Sequence, residues 1–140
     1  MKFLMLSAGR RVKRIRLLQA AMRGLSAPGH VVETDCSSAA AALQVADRMA
    51  VLPSCDSADY SEALFELCRR ERSGAVVSGL DSELSELSSI RGRLHAEGHF
   101  VWVGSPDCIA LCRDKRRINK WLLDNGFPTV RQSDSVEPLV

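Results

Sequence analysis

Hydrophobic periodicity switches repeatedly between two residues and about 3.6 residues along this chain of 140 residues, with glycine or small polar residues at most of the switches. Such switching is typical of strands that alternate with helices. The pattern predicts five strands, at residues 2–8, 30–35, 48–52, 74–80 and 99–103. Because crossover helices of this length join parallel strands, we expect an α/β fold: a doubly wound, mostly parallel five-stranded sheet of order 3-2-1-4-5 with helices on both faces.

The helices between these strands carry start and stop signals. Asp59 stands three residues before Glu62, which is the spacing of a capping box. Ser105 is a capping residue followed by a proline suited to the first helical position, and Gly126 permits a left-handed helix end. The first predicted helix covers 10–25 and is ended by the residues 27–29. Two further helices start at Asp59 and at Ser105, and the second of these breaks near Asp114. The remaining predicted helices cover 39–45, 82–96 and 115–125.

Size and composition point to a compact domain outside any membrane. A chain of this length buries roughly 68% of the surface that its unfolded form exposes, so it needs no disulfide or metal to hold a core. Its apolar runs, such as 39–43 and 100–103, fall far short of the ~20 residues of a membrane-spanning helix. The apolar run at 3–6 is too short for a secretory leader. We therefore expect a cytoplasmic protein that contacts no membrane.

The cysteines also suit a reducing compartment. They are odd in number, and no pair has the C-x-x-C spacing of a zinc or redox site. We interpret them as buried thiols and predict no metal site. A catalytic cysteine is the alternative, although no histidine partner is evident in the sequence. The five are Cys36, Cys55, Cys68, Cys108 and Cys112.

Charge is divided unevenly along the chain. Residues 1–32 carry seven basic residues and no acidic one, and the rest carries a net charge of −5, which together give +2. A basic first helix suits nucleic acid, an acidic partner or a phosphorylated small molecule, or it is simply a solvated helix face. Nucleic acid is disfavoured, because Phe3 is the one aromatic residue of that segment and supplies little base stacking.

The loop after the first strand is the first candidate binding site, because ligands of an open parallel sheet lie beyond the carboxyl ends of its strands. It holds Gly9, Arg10 and Arg11, but it lacks the G-x-G-x-x-G of dinucleotide binders, which disfavours a nicotinamide cofactor. Backbone N–H groups at a helix start and a neighbouring arginine attract a carboxylate or a phosphate. Alternatively, Gly9 only permits a tight turn and the arginines stay solvated.

Acidic residues follow two other strands at the same edge. Asp35 ends the second strand, where it could bind a hydroxyl or an ammonium group, or cap the segment that follows. Asp81 and Glu83 follow the fourth strand and could bind a polar substrate or a metal, whereas Asp81 or Ser82 could instead cap the next helix. The three histidines lie at element edges without carboxylates at ligand spacing, and we assign them no role.

The segment 112–129 carries a resemblance to a known family. Its order of Asp114-Lys115, a helix and then Asn-Gly-Phe-Pro-Thr resembles the junction in ATP-grasp ligases where the N-terminal pre-ATP-grasp domain passes into the nucleotide-binding module. The opening 7–12, the strand end Thr34-Asp35 and the turn 79–84 are similar to the same family, most of all to its branch like the carbamoyl-phosphate synthase large subunit. The resemblance covers residues 2–132.

The resemblance implies that 1–129 is a Rossmann-like pre-ATP-grasp domain and that 130–140 begins an ATP-grasp module or a linker. It implies an ATP-dependent carboxylate–amine or carboxylate–ammonia ligase that uses an acyl phosphate. Lys115 would reach a nucleotide phosphate. The substrate side would comprise Gly9, Arg10, Arg11, Asp35, Asp81 and Glu83.

The family's ATP-clamping halves and magnesium-binding acids would follow residue 140. We therefore expect ATP and Mg²⁺ in the complete enzyme, no tightly bound cofactor and no catalytic or metal-binding residue on this chain, and no activity of this chain alone. The expected partners are an ATP-grasp module in the same or a separate chain, a small-molecule carboxylate and, as an open alternative, a second copy in a homodimer. The competing hypothesis is a free-standing Rossmann-like binding module for a nucleotide or a phosphorylated small molecule.

Overall fold

The computed structural model describes residues 2–25 and 29–132. Its strands form one parallel sheet of order β3-β2-β1-β4-β5, which confirms the predicted fold class and strand order. The strands are β1 (Lys2–Leu6), β2 (His30–Asp35), β3 (Arg48–Val51), β4 (Ser73–Ser78) and β5 (Phe100–Val101). The helices are α1 (Val12–Arg23), α2 (Tyr60–Glu71), α3 (Leu84–Ala96), α4 (Pro106–Arg113) and α5 (Lys115–Asp124), with 3-10 turns at Leu43–Val45 and Asp81–Glu83.

Side chains of the central strand β1 alternate between two cores. Leu4 and Leu6 pack with residues of α2 and α3, whereas Met5 packs with Ile15 and Met22 of α1. This is the period-two pattern of a strand that is buried on both faces. It places α1 on one side of the sheet and α2 and α3 on the other, as the doubly wound prediction requires.

The chain divides into two compact units, Met1–Val103 and Gly104–Val140. The first holds the whole sheet with α1, α2 and α3, and the second holds α4 and α5. The predicted boundary at residue 129 stays a prediction. The end of the first helix at 27–29 and the predicted module start at 130–140 fall largely outside the described residues. Within 2–25 and 29–132, no helix is both long and apolar enough to cross a membrane.

The helix predicted at 39–45 is wrong in extent, since only Leu43–Val45 forms a 3-10 turn. The backbone of this segment is used for a tertiary contact instead: the N–H of Ala42 donates to the carbonyl oxygen of Gly9 at 2.9 Å. An N–H that is committed to the β1–α1 loop cannot propagate an α-helix. The alanine-rich composition favoured a helix, and the long-range bond overrides it.

Most of the predicted helix ends are confirmed, but one is wrong. Asp59 directly precedes α2, but its side chain makes no capping bond, so the predicted capping box is wrong. The backbone of Asp59 is already helical, at φ −84° and ψ −7°. Ser105 does cap α4, because its Oγ accepts from the N–H of Cys108. The predicted break is also confirmed, since Asp114 caps α5 by accepting from two backbone N–H groups. Gly126 takes the expected left-handed conformation at φ +75°.

Replacement of Leu6 tests the central role of β1. Leu6→Ala removes a side chain that is 0% exposed, and we expect it to lower the free energy of unfolding by about 2–5 kcal/mol, because the cavity adds to the lost burial. Urea unfolding measures the change. Leu17→Ala is the control, since Leu17 on α1 is 61% exposed and its loss should shift stability by no more than about 0.5 kcal/mol. Equal effects would contradict this description of the core.

Candidate functional site

A small pocket lies at the carboxyl edge of the sheet, among the segments that follow β1 to β4. It has a volume of about 40 Å³, and its wall includes Ser7, Asp35, Cys55, Tyr60 and Glu83. This is the edge at which open parallel sheets bind ligands. The volume suits a small functional group of a ligand and not a whole nucleotide, so a larger ligand would lie over the edge and not within it.

The β1–α1 loop is tied to β2 by three consecutive backbone N–H groups. The N–H of Ser7 donates to the carbonyl oxygen of Thr34 at 2.9 Å. The next two donate to carboxyl side chains: Ala8 to Oε1 of Glu33 at 2.8 Å and Gly9 to Oδ2 of Asp35 at 3.1 Å. These N–H groups are therefore occupied by the protein itself, and an anion in front of the loop must use other donors.

The start of α1 offers side-chain donors and a positive dipole end. Arg11, the residue before the first turn, makes no side-chain capping bond, and the first turn holds no acidic residue, so no carboxylate of that turn opposes the positive end of the helix dipole. The N–H groups of Val12 and Arg14 already donate to the carbonyl oxygens of Arg10 and Arg11, each at 2.9 Å. The side chains of Arg10 and Arg11 are exposed at this helix start and supply the donors for an anion. Gly9 makes the turn, at φ +58°, so the turn-forming role and the anion-attracting role coexist in this loop.

Asp35 has a structural role at the end of β2. Its Oδ1 accepts from the N–H of Ser37 at 3.0 Å and its Oδ2 from Gly9 at 3.1 Å, so one carboxylate joins two loops. The capping alternative is wrong in its details, because no α-helix follows at 37–45. The side chain stays half-buried on the pocket wall, where its free lone pairs can still accept from a ligand.

Glu83 is buried, at 1% exposure, and is surrounded by hydroxyl donors. Its Oε1 accepts from Ser7 Oγ at 3.0 Å and from the Tyr60 hydroxyl at 2.5 Å, and its Oε2 accepts from the hydroxyl of Ser78. Burial, and then the charge of Glu83, raise the pKa of Tyr60 far above its usual range. Glu83 thus joins the loop after β1, α2 and β4 at the pocket wall.

Asp81 differs from Glu83 although the two are close in sequence. Asp81 is exposed in the 3-10 turn after β4. The capping alternative for Asp81 or Ser82 is wrong, because Glu83 occupies the cap position of α3 and makes no side-chain capping bond. Ser82 instead contacts Cys55, with 3.8 Å between Oγ and Sγ. Asp81 is therefore the acidic side chain of this turn that a ligand can reach.

Sequence reasoning missed Glu33 and Tyr60. Glu33 is 0% exposed, and its Oε2 has no hydrogen-bond partner in the described part of the chain. Desolvation by burial raises its pKa to about 8, with smaller contributions from the neighbouring charges. The available signal was a glutamate inside an apolar strand, between Val32 and Thr34, since charged residues are rarely fully buried. Tyr60 gave no such signal, because its partner Glu83 is distant in sequence.

Lys115 belongs to the second unit and is the first residue of α5. It is exposed. The helix start is well defined, because Asp114 accepts from the N–H groups of Arg116 at 2.9 Å and Arg117 at 3.1 Å. These two bonds lower the pKa of Asp114. The ammonium group of Lys115 therefore projects from a fixed helix end.

The interpretation of the cysteines as buried thiols is wrong for most of them. All five are free, but only Cys68 is buried, Cys55 is half-buried, and Cys36, Cys108 and Cys112 are exposed. Cys36 and Cys55 lie in the loops after β2 and β3 and line the pocket. Sequence spacing gave no indication of this, because loop positions carry no periodic pattern.

A family model described as "PylC-like, N-terminal domain" matches residues 3–102, which include β2 to β5 in full and all of β1 except Lys2. No curated protein matches the chain.

Several solved structures share the fold. Glycinamide-RNase-transformylase T from Mycobacterium tuberculosis is 20% identical with a TM-score of 0.63, over 92% of this chain and 37% of that one. N5-carboxyaminoimidazole ribonucleotide synthetase from Thermotoga maritima is 24% identical with a TM-score of 0.62, over 91% and 31%. The biotin carboxylase domain of a thermophilic 2-oxoglutarate carboxylase bound to bicarbonate is 21% identical with a TM-score of 0.62, over 96% and 30%. The chain thus spans about a third of the length of these proteins.

Matched substitutions separate the roles of the two acidic residues after β4. Glu83→Ala leaves the hydroxyls of Tyr60, Ser7 and Ser78 without their shared acceptor, and we expect a loss of about 2–4 kcal/mol in the free energy of unfolding. Asp81→Ala removes an exposed carboxylate and should change stability by no more than about 0.5 kcal/mol. Urea unfolding compares the two, and a stable Glu83→Ala variant would refute the assignment of Glu83 as a structural acceptor.

Proposed function

This chain belongs to the PylC-like N-terminal domain family, and from that premise we propose that it is the substrate-side domain of an ATP-dependent carboxylate–amine or carboxylate–ammonia ligase. The similarity to the N-terminal, pre-ATP-grasp domains of ATP-grasp enzymes, which the sequence motifs predicted, is confirmed by the family match and by the shared fold. The activity, substrates and partners of a whole enzyme are part of the proposal, because the chain spans only a fraction of the related structures.

The observation that carries the proposal is the uncapped start of α1 at the carboxyl edge. Its helix dipole, which no acidic residue of the first turn opposes, and the exposed Arg10 and Arg11 form a positive region beside the pocket. A carboxylate or phosphate group of a small substrate would be held there by charge-assisted hydrogen bonds. Asp35 and Asp81 lie at the same edge, where they would accept from hydroxyl or ammonium groups of the same substrate.

Two predicted substrate residues take an indirect role in this proposal. Gly9 shapes the loop through its left-handed backbone and its bond to Asp35. Glu83 is bonded to three hydroxyls and buried, so it acts by positioning Tyr60 and Ser7 on the pocket wall. The groups that would contact substrate are therefore Arg10, Arg11, Asp35 and Asp81.

The proposed chemistry follows the family resemblance. The substrate carboxylate attacks the γ-phosphate of ATP, which gives an acyl phosphate and ADP; an amine or ammonia then attacks the carbonyl carbon and releases inorganic phosphate. A similar structure, N5-carboxyaminoimidazole synthetase from Staphylococcus aureus, is complexed with ADP. The carbamoyl-phosphate-synthase-like form of this chemistry belongs to the proposal as well.

ATP and Mg²⁺ are assigned to an ATP-grasp module, in the same polypeptide or a separate one. Lys115 is this chain's contribution to the nucleotide, because an exposed ammonium at a fixed helix start can reach a phosphate as a point charge. We propose that the chain does not catalyse ligation by itself. The cytoplasmic location and the homodimer stay predictions.

Anion binding tests the substrate side. We expect inorganic phosphate at pH 7 to shift the backbone amide resonances of Gly9, Arg10 and Arg11. The double variant Arg10→Ala/Arg11→Ala should lower the affinity at least about tenfold, because charge-assisted bonds contribute roughly 1.5–3 kcal/mol each.

The control is Arg16→Ala/Arg23→Ala, which removes the same charge from exposed positions of α1 beyond its first turn and should change the affinity less than about twofold, because distant surface charges are screened. An equal loss of phosphate affinity in both double variants would show that the net charge of the protein attracts phosphate and that Arg10 and Arg11 form no specific site. Tight binding of a nucleotide by wild-type chain alone would favour a free-standing binding module instead.

ATP use tests the role of Lys115 in the polypeptide that contains the ATP-grasp module. Lys115→Ala should raise the KM for ATP about tenfold, because a charged hydrogen-bond donor to phosphate is lost. Lys120→Ala removes the same charge from α5, where Lys120 pairs with Asp124 at 2.9 Å, and should leave the KM within about twofold. Steady-state kinetics compares them, and an unchanged KM in Lys115→Ala excludes the nucleotide role.

A further inference from the structure

Glu33 is a buried carboxyl directly behind the β1–α1 loop. It lies on β2, is 0% exposed, and its Oε1 accepts from the N–H of Ala8 at 2.8 Å. Its Oε2 is enclosed without a hydrogen-bond partner among residues 2–25 and 29–132. Burying a carboxylate with one oxygen unpaired is unfavourable in free energy, because the charge loses its hydration. Binding a proton neutralises the group and removes most of this unfavourable free energy.

Charged groups from three elements act on Glu33. Arg14 from α1 favours its ionised form, whereas Asp35 on its own strand and Glu83 from the turn after β4 oppose ionisation. Burial is the largest influence, and the pKa of Glu33 is about 8. At neutral pH the side chain is therefore mostly uncharged, and it still accepts from Ala8 through its carbonyl oxygen.

The position of Glu33 makes this charge state relevant to ligand binding. The residue bonded to it, Ala8, is followed directly by Gly9, Arg10 and Arg11, which lead into the uncapped start of α1. A negative charge at Glu33 would act on an anion in front of the loop through protein and not through water, so screening would be weak. Neutral Glu33 holds the loop without that repulsion.

We propose that Glu33 is a positioning residue of the anion site: in its uncharged form it fixes the β1–α1 loop through Ala8 and leaves no negative charge behind the bound anion. The inference rests on the proposed anion site at Arg10 and Arg11. Affinity for an anion is highest while Glu33 is protonated, and it falls as pH rises through about 8. By reciprocity, a bound anion strengthens proton binding by Glu33.

The experiment measures sulfate affinity from pH 6 to 9.5 at constant ionic strength. Sulfate is the probe because it stays a dianion over this range, unlike phosphate. Backbone amide shifts of Gly9, Arg10 and Arg11 report binding, and the amide shift of Ala8 without sulfate reports the proton on Glu33. We expect the wild-type affinity to be constant below about pH 7 and to fall threefold to tenfold by pH 9, with an Ala8 titration centred on about pH 8.

Glu33→Gln keeps an acceptor for Ala8 and a donor in place of the protonated oxygen, but it cannot ionise. It should retain the wild-type affinity at pH 7 within about twofold, lose the decline above that pH, and lose the Ala8 titration. Glu62→Gln is the control, since Glu62 is exposed on α2 and pairs with Arg93; it should keep the wild-type pH profile.

The outcomes separate this inference from the proposed function. Sulfate binding with the same pH decline in wild type and Glu33→Gln would overturn the role of Glu33 and leave the anion site intact. A wild-type Ala8 amide that does not titrate near pH 8 would overturn it without any variant. Absence of sulfate binding by the wild type at every pH would overturn the anion site itself, and this inference with it.

Discussion

The candidate site depends on the attachment of the β1–α1 loop to β2. Three successive N–H groups, from Ser7, Ala8 and Gly9, donate to one strand, and two of the acceptors are carboxyl side chains. A loop with two left-handed residues, Ser7 at φ 51° and Gly9 at φ 58°, needs such fixed partners, because a non-glycine residue pays a conformational cost there. The attachment gives α1 a defined starting point, and the exposed arginines follow from it.

The topology was predictable from sequence because it depends on the periodicity of hydrophobic residues and on the length of the connections between strands. Long-range contacts change neither of these features. The failures lie where a long-range bond competes with local preference. Residues 39–45 have a helical composition, yet Ala42 donates to Gly9 and the helix does not form. Asp59 has the spacing of a capping box, but its helical backbone keeps its side chain from capping. Ser105 caps α4 as predicted, and Asp114 caps α5 at the predicted break, because the partners of both side chains are local.

The contrast between local patterns and long-range contacts also explains which parts of the candidate site were predictable. Residue type and strand order were enough to place Asp35, Asp81 and the arginines at one edge, since the carboxyl ends of parallel strands meet there. Burial was not predictable, because it depends on which side chains fill the space behind each loop. Glu83 is joined to Ser7 and Tyr60 from distant parts of the chain, and Glu33, which lies beside Met5 of β1 in the sheet, is 0% exposed. No local pattern distinguishes such a glutamate from a solvated one.

The electrostatic potential at the carboxyl edge of the sheet depends on how hydrogen bonds stabilise, or a proton neutralises, each acidic side chain there. The segment 1–32 carries seven positive charges, while Glu33, Asp35 and Glu83 would place three negative charges near its loop. Asp35 is bound by two N–H groups, Glu83 by three hydroxyls, and Glu33 by one N–H and a proton. Hydrogen bonds disperse two of these charges and protonation removes the third. The start of α1 therefore keeps its positive character although acidic side chains support it, which is the condition for an anionic group to bind there.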